Sequence, residues 1–422
     1  MKTIDEITRP KEYLTPLDRH LGDIIRRWAE RDVMPRRREF DEDWKDHALI
    51  EPAFASLMGE LGLQRMLFPE DLGGMGFGRS SYLGTGGFRI FEEIARADSG
   101  IAVAFGVTSW PLLMICRPPH ENRRLCEQFA PRFCSTTRPV FAANAMTEPQ
   151  GGADIENLDL LRGRTIRTRA VRDGDQWVIN GHKLWPTNTG GVADLFGVVC
   201  STDPGSSDPR DFAFIFVPAD TLGVTQGGPY QKAGMAADKN GDVWFEDVRV
   251  PDWYRACGPG DDFTYFKEVV SFGLMGSLAF TSGVLLNTFE ILGDFAARTS
   301  YRGRLLKEND DVAGALADLA TDAEVVRIVG YQYARMLDRP DLYGAPWSDE
   351  IVAKGRAYKC FACDRAVSAL GRAMELMGRH GSDRSGDVEK HWRDVKIVQL
   401  WMGGKQLGQM EAARWFYDCE TL

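Results

Sequence analysis

The sequence predicts a mainly α-helical chain interrupted by a β-domain: an N-terminal helical domain over residues 1–139, a β-barrel over 140–258 and a C-terminal four-helix bundle over 259–422. Two observations carry this. Apolar residues recur at helical spacing on both flanks, whereas between about 140 and 255 they alternate with a period of two. Turn dipeptides punctuate that middle segment, and the long uninterrupted helical patterns after it suit an antiparallel bundle.

In the first segment Leu21, Ile24, Ile25, Trp28 and Val33 line one face of a helix over 17–33. A second helix is expected over 52–63, followed by the glycine-dense turn Pro69-Glu70-Asp71-Leu72-Gly73-Gly74-Met75-Gly76, with further helices over 90–97 and 121–130. In the middle segment residues 165–171 alternate, Arg172-Asp173-Gly174-Asp175 supplies a hairpin turn, and Gln176-Trp177-Val178-Ile179 returns. Asn180-Gly181 reads as a second tight turn, and 195–200, 212–217 and 243–245 add short strands. Short strands between regular turns point to a compact barrel or sandwich. The last segment carries helical patterns over 263–300, 311–337, 348–377 and 388–416.

A chain of 422 residues, 44% hydrophobic and 27% charged, has the length for two or three domains and the composition of a soluble globular protein. A net charge of −10 argues against a nucleic-acid partner. Acids flank Arg36-Arg37-Arg38, and the arginines between 162 and 169 alternate with Thr and Ile as on a solvated strand face. The eight cysteines are scattered, and Cys360 with Cys363 forms a lone CxxC on one face of a helix, so no metal is expected and free thiols suit a reducing compartment. The opening Met1-Lys2-Thr3-Ile4-Asp5-Glu6 has no apolar run, so no secretory signal is expected. Residues 269–289 carry no charge and meet the length of a membrane span. Ser271, Ser277, Thr281, Ser282, Asn287 and Thr288 interrupt that stretch, however, and a buried bundle helix in a cytoplasmic protein, away from any membrane, is the expectation.

The string Ala145-Met146-Thr147-Glu148-Pro149-Gln150-Gly151-Gly152-Ala153-Asp154 follows a short apolar run over 139–145. Adjacent glycines let a backbone approach a ligand, and Thr147 offers a hydroxyl and an N–H to a heterocycle. Read alone, the same residues make an ordinary connection. The string resembles the flavin-contacting signature of the acyl-CoA dehydrogenases: Thr-Glu-Pro, two or three small residues, then Gly-Ser-Asp. A second block, Asn180-Gly181-His182-Lys183-Leu184-Trp185-Pro186-Thr187-Asn188, resembles the family's Asn-Gly-x-Lys-x-Trp-Ile-Thr-Asn, with Pro186 as the departure. The resemblance implies FAD as cofactor, met by Met146, Thr147, Gly152 and Ala153, with Trp185 packed on the isoalloxazine and Thr187 bonded near its reactive nitrogen. Apart from that resemblance, Trp185 reads as a core residue of the β-domain. Ala153 stands where the family has a Ser that helps hold thioester and flavin.

Further blocks extend the resemblance. Residues 234–251 match a scaffold strand of the family, with Ala236 in place of a common Arg. Thr299-Ser300-Tyr301-Arg302-Gly303-Arg304-Leu305-Leu306 is similar to Arg-x-x-Phe-Gly-Lys-x-Leu, whose Arg meets the FAD pyrophosphate. That Arg falls on Thr299, which leaves Arg298 and Arg302 as neighbours able to bind a diphosphate or to serve as plain helix-end charges. Glu375-Leu376-Met377-Gly378-Arg379-His380-Gly381 resembles a turn with which relatives touch the FAD of a neighbouring subunit, implicating Gly378 and a homodimer or homotetramer.

Arg393-Asp394-Val395-Lys396-Ile397-Val398-Gln399-Leu400-Trp401-Met402-Gly403-Gly404-Lys405-Gln406 aligns without gaps to the family's Arg-Asp-x-Lys-x-x-x-Ile-Tyr-Glu-Gly-Thr-x-Gln, which implies substrate contact by Gly403 and cofactor contact by Gln406. The family's Glu in this block removes the α-proton of the acyl thioester, and its position holds Met402, whose thioether cannot take a proton. An alternative family position for the base, on the first bundle helix, reads Ser271-Phe272-Gly273-Leu274, with Glu268 about one turn earlier. Ser271 and Leu274 are expected to line the acyl site. Asp98, in a loop that borders the acyl pocket in this family, is the remaining candidate base. The resemblance therefore implies an FAD-dependent oxidoreductase that acts on the CH–CH group of an acyl-CoA or carrier-bound acyl thioester, with a non-standard base and with an electron-transfer partner or oxygen as acceptor. Two alternatives stand beside it: another reaction on the same fold (elimination, decarboxylation or oxygen activation), and a non-catalytic subunit that is heteromeric with a paralogue.

Overall fold

In the computed structural model, which describes residues 14–151, 166–384 and 386–419, Thr15 opens the first helix with a capping box: its side chain takes the Asp18 amide while Asp18 returns to the Thr15 amide. Helix α1 (Pro16–Trp28) runs on through a π-helical turn, Ala29–Val33. Short helices α2 (Arg37–Glu42) and α3 (Glu51–Phe54) follow, then α4 (Leu83–Ala97), α5 (Ser99–Cys116) and α6 (Arg123–Cys134). Helix α5 has no counterpart among the sequence expectations. It is buried on every side except at Trp110, so it has no polar face to generate a helical period.

The middle domain holds β1 (Phe141–Ala145), β2 (Arg169–Asp173), β3 (Gln176–Lys183), β4 (Ala193–Ser201), β5 (Phe212–Pro218), β6 (Val224–Gln226) and β7 (Val243–Pro251). They form one sheet in the order β1-β4-β2-β3-β7-β6, with β5 on β4. The expected barrel is thus an open half-barrel. Asn180-Gly181 is not a turn. It lies inside β3, with Asn180 opposite Arg169 and a register shift against β7 between Ile179 and Gly181. A Cβ at Gly181 would overlap the Thr168 side chain, so this glycine serves a close approach inside a strand.

The last domain contains α7 (Asp261–Arg298), the small hairpin β8 (Ser300–Tyr301) and β9 (Arg304–Leu305), α8 (Asp310–Asp338), α9 (Pro340–Tyr343), α10 (Asp349–Met377), α11 (Arg379–Ser382), α12 (Asp387–Leu400) and α13 (Gly404–Tyr417). The helix expected over 388–416 is therefore two helices. Met402, Gly403 and Gly404 take φ values of 51°, 79° and 63°, which no α-helix accommodates. Helices α5 and α7 are as long and apolar as membrane spans, yet their apolar windows are 89% and 100% buried within the fold, so both are core helices.

Buried charge ties the domains together. Glu92 on α4 accepts from Arg327 Nε and Nη2 on α8, both at 2.9 Å, and from Ser282 Oγ on α7 at 2.6 Å. Arg37, from the basic run near the N-terminus, is buried against Asp387 of α12 at 2.6 Å. Helices α4 and α7 touch at Gly283, where a Cβ would overlap the Glu92 carbonyl and the Arg96 amide. Gly283→Ala should force the two helices apart and lower stability by about 1–3 kcal/mol, the cost of overpacking a core. Denaturant unfolding should then show a lower midpoint at unchanged slope.

Candidate active site

The residues just after β1 are tied down by their own acid. The Glu148 carboxylate accepts from the Arg167 amide at 2.8 Å, the Thr168 amide at 2.9 Å, Thr168 Oγ1 at 2.6 Å and Lys183 Nζ at 2.8 Å. Lys183 Nζ also donates to the Met146 carbonyl at 2.9 Å, and the Leu184 amide donates to that of Thr147 at 2.9 Å. Glu148 and Lys183 are both buried. Burial alone would raise the Glu148 pKa, but the Lys183 charge and the converging donors bring it down to about 2. Glu148 thus anchors the loop as a permanent anion.

Beyond β3, Trp185 and Asn188 take left-handed φ values of 65° and 64°. The Asn188 side-chain amide reaches the Ala104 and Ala142 carbonyls at 2.8 and 2.9 Å, docking this turn on α5 and β1. Trp185 stacks on Tyr230, with centroids 4.4 Å apart and planes 19° from parallel.

On the opposite side, the turn that separates α12 from α13 is held by α10. The Arg356 guanidinium donates to the Met402 carbonyl, and Lys359 Nζ donates to the Trp401 carbonyl at 2.5 Å. Trp401 Nε1 donates to Ser277 Oγ on α7 at 3.1 Å. The Met402 methyl packs over Gly273, where a Cβ would come within 3.1 Å of it and of the Trp110 ring.

Between these two sides lies a cavity of about 570 Å³. Met146, Thr147, Leu184, Trp185 and Thr187 line its β-domain wall; Val107, Trp110, Phe266, Val269, Trp401, Met402 and Gly403 line its helical wall. Its ionisable lining residues, among those described, are Lys232, Asp238 and Arg356. Lys232 and Asp238 pair at 2.9 Å, and burial pushes the Asp238 carboxyl up while Lys232 opposes the shift. Two buried acceptors of the lining residues, Asn144 Oδ1 and Asp238 Oδ1, have no hydrogen-bond partner among the described residues.

The cavity thus brings together Met146, Thr147, Trp185, Thr187, Met402 and Gly403 from three separated motifs. Gly152 and Ala153 lie outside the described residues. Ser271 and Leu274 do not line the cavity: Ser271 Oγ donates to the Pro346 carbonyl at 2.7 Å, and Leu274 packs toward Gly355. The face of α7 that does line it carries Phe266, Val269 and Val270, one helical turn apart. Asp98 is also elsewhere. It caps α5 through the Ile101 amide at 3.0 Å and pairs with Lys390 at 2.9 Å. Glu268 turns away to pair with Arg117. Arg298 is exposed and pairs with Asp294 at 2.9 Å, and Arg302, Gly378 and Gln406 are exposed outside the cavity. Phe295 and His380, with ring centroids 5.8 Å apart, bring the Gly378 turn beside the end of α7 that carries Arg298.

Trp110, Asn144, Lys232, Asp238, Asn240 and Arg356 also line the cavity and carry no sequence expectation. Asp238 and Asn240 sit in the block over 234–251 that reads as scaffold, and Lys232 lies just before it. Arg356 looks like one more polar residue on a helix until α10 is packed beneath the 401–403 turn. Among the described residues no cluster of three or more acidic, His or Cys side chains is grouped to hold a metal ion.

A cavity with an aromatic wall, two threonine hydroxyls and unpaired buried acceptors, set between a half-barrel and a helical bundle, fits a flat heteroaromatic cofactor and an apolar substrate together. This is the architecture of a flavin-dependent oxidoreductase. The acyl-CoA dehydrogenase N-terminal, middle and C-terminal domain profiles match residues 15–125, 143–248 and 263–416. The chain therefore belongs to the acyl-CoA dehydrogenase family, whose members bind FAD. It is 28% identical over 415 residues to the cyclohex-1-ene-1-carbonyl-CoA dehydrogenase of Syntrophus aciditrophicus strain SB, covering 98% of this chain and 92% of that protein. Its fold is shared by butyryl-CoA dehydrogenase from Megasphaera elsdenii, with TM-score 0.80, 22% identity and coverage of 95% and 98%. A glutaryl-CoA dehydrogenase from Mycobacterium smegmatis in complex with FADH2 superposes with TM-score 0.83, 18% identity and full coverage of both chains, 100% and 100%.

Lys183→Met should leave Glu148 buried and uncompensated, costing about 3–5 kcal/mol, and should reduce flavin retained per protein after gel filtration. The pH dependence follows from the same pair. The folded-state pKa of Glu148 lies below its ordinary 4.5, at about 2. Its contribution to stability is therefore present above pH 4.5 and lost as pH falls from there toward about 2. Acid unfolding of Lys183→Met, followed by circular dichroism, should begin at higher pH than in the unaltered protein.

Proposed function

We propose that this chain oxidises an acyl thioester, bound to CoA or to a carrier protein, across its α and β carbons, and that it does so without a carboxylate on the helical wall of the cavity. One observation carries this reading: Met402, Trp401, Trp110 and Val269 make that wall apolar, and its one ionisable side chain among the described residues, Arg356, donates to the Met402 carbonyl. FAD, when bound, supplies the two-electron acceptor. Met146, Thr147, Trp185 and Thr187 would hold its ring system, while the indoles of Trp110 and Trp401 exclude water from the reacting carbons. Positioning of this kind lowers the barrier, and the α-proton, with no carboxylate on the helical wall to take it, passes to a solvent molecule at the cavity mouth. The substrate that suits it is a thioester whose α-proton is already activated, for example by a β,γ double bond.

The names of two relatives point to cyclic acyl thioesters as a substrate class. They are dehydrogenases of cyclohex-1-ene-1-carbonyl-CoA and cyclohexane-1-carbonyl-CoA, each 28% identical to this chain. Exposed Arg298, Arg302 and Gly378 at one end of the bundle suit contact with a diphosphate across a subunit boundary, hence a cytoplasmic homodimer or homotetramer that passes its electrons to a partner protein or to oxygen. Gly152, Ala153 and Gln406 keep the cofactor roles that the family motifs imply.

Anaerobic titration of the yellow protein with a panel of acyl thioesters tests the activity. Bleaching at 450 nm (on the order of the usual flavin band) by activated cyclic or unsaturated thioesters, and not by simple saturated chains, is the expected outcome. Oxygen consumption only when a reductase supplies electrons would replace this reading by oxygen activation. A colourless protein that requires a co-expressed paralogue would replace it by a non-catalytic role. Met402→Glu adds a base at the apolar wall and should raise bleaching by a saturated acyl-CoA roughly 10²–10⁴-fold, the usual contribution of a positioned general base. No gain at any chain length, in flavin-loaded variant, would contradict the assignment of this wall to the α-carbon.

A further inference from the structure

The Thr187 hydroxyl belongs to a hydrogen-bond chain whose direction is fixed by chemistry. Lys232 Nζ lies 2.5 Å from Asn240 Oδ1, 2.9 Å from Asp238 Oδ2 and 2.5 Å from the Asp238 carbonyl. An ammonium has three donors and no acceptor, so all three oxygens accept from it. The Asn240 side chain is thereby oriented: its oxygen faces Lys232, and its Nδ2 must donate. Nδ2 lies 3.0 Å from the Trp185 carbonyl and 3.3 Å from Thr187 Oγ1, so its two hydrogens have one acceptor each. Thr187 Oγ1 therefore accepts from Asn240, and its own hydrogen has the Asp238 carboxylate as acceptor at 3.4 Å. A hydroxyl has one donor and two acceptor sites. With the donor and one acceptor used inside the protein, the capacity left for the cavity is one lone pair.

We propose that Asp238, acting through Thr187 as a positioning residue, makes the hydroxyl at the flavin edge an acceptor only, so that the site favours the two-electron reduced cofactor. This rests on the reading above that Thr187 meets the flavin near its reactive nitrogen. That nitrogen carries a lone pair in the oxidised ring and an N–H in the reduced ring. A lone pair of Thr187 opposes the first and bonds the second. A threonine without the acid behind it is free to donate to the oxidised ring instead, so the Lys232–Asp238–Asn240 arrangement reverses the polarity of the contact. A site of this polarity shifts the cofactor equilibrium toward reduction.

The test is the flavin reduction potential, read anaerobically against a reference dye. Thr187→Val removes the lone pair and should lower the reduced-to-oxidised ratio about tenfold, about 30 mV for a two-electron couple. The same substitution in a Lys232→Met/Asp238→Ala background, where the pair is removed at constant net charge, should lose or reverse that shift. A higher potential in Thr187→Val alone would mean that the hydroxyl donates to the oxidised ring, overturning the inference while leaving Thr187 at the flavin. An unchanged potential and an unchanged visible spectrum would remove Thr187 from the flavin and overturn both. A second measurement needs no variant: apoprotein should bind 5-deaza-FAD, which has C–H in place of the reactive nitrogen, more tightly than FAD, because the opposed lone pairs are then removed. Binding of the deaza analogue weaker by tenfold would also overturn the inference.

Discussion

A buried ammonium holds the three domains in register. Lys390 on α12 lies between Asp98, the N-cap of α5, at 2.9 Å and Asp394 at 2.6 Å, and the second oxygen of Asp394 takes the Met235 amide of the β-domain at 2.6 Å. One helix of the bundle thus grips a helix of the N-terminal domain and a loop of the half-barrel. The two carboxylates hold Lys390 charged well above the ordinary lysine range despite its burial. Met235, kept at φ 54° by this contact, lines the cavity, so the pin that joins the domains also shapes the space between them. Arg393 adds to it, reaching Asp41 at 2.7 Å and the Ala233 carbonyl at 2.9 Å. Charges this deep in a fold are tolerated because each has a partner, and loss of one partner leaves another stranded.

The cavity is bounded by two irregular segments, and each is irregular for a physical reason. On the β-domain side, Glu148 gathers amide, hydroxyl and ammonium donors, which tie the described residues 146–151 to Arg167, Thr168 and Lys183. On the helical side, the interruption between α12 and α13 frees backbone carbonyls that a continuous helix would have bonded. Arg356 and Lys359 supply donors to two of them, at Met402 and Trp401. Both segments therefore present backbone and side chains to the cavity from rigid supports, the arrangement that a positioned reaction requires.

The chemistry of the site is divided between its walls. The helical wall offers area, shape and exclusion of water. The β-domain wall carries the polar groups: two threonine hydroxyls, the unpaired oxygens of Asn144 and Asp238, and the Lys232 ammonium. A carboxylate is present, that of Asp238, on the same wall as Thr187, whose hydroxyl lies 3.4 Å from it. The polar groups of the cavity are thus concentrated on the wall opposite Met402.

Periodicity alone determined the order of helical, β and helical segments, because period 3.6 and period 2 are read along the chain and need no partner. It also determined the span of α7, whose apolar run is longer than any strand. The family motifs identified Met146, Thr147, Trp185 and Thr187 as one group, since each belongs to a local string. Only tertiary packing decided the rest. Helix α5 has no period because every side is buried; the helix expected over 388–416 is interrupted because consecutive positive φ values are stabilised by donors from α10; and Asn180-Gly181 stays in a strand because Thr168 packs against it. Helical phase, set by neighbours, turned Ser271 and Leu274 away from the cavity and Phe266 and Val269 toward it. Asp98 was drawn into the Lys390 pin, while Lys232, Asp238 and Arg356 gained their neighbours from segments distant in sequence. The sequence by itself carried the family motifs and an apolar Met402 in the last of them; which polar groups line the cavity was decided by long-range contacts that no local pattern encodes.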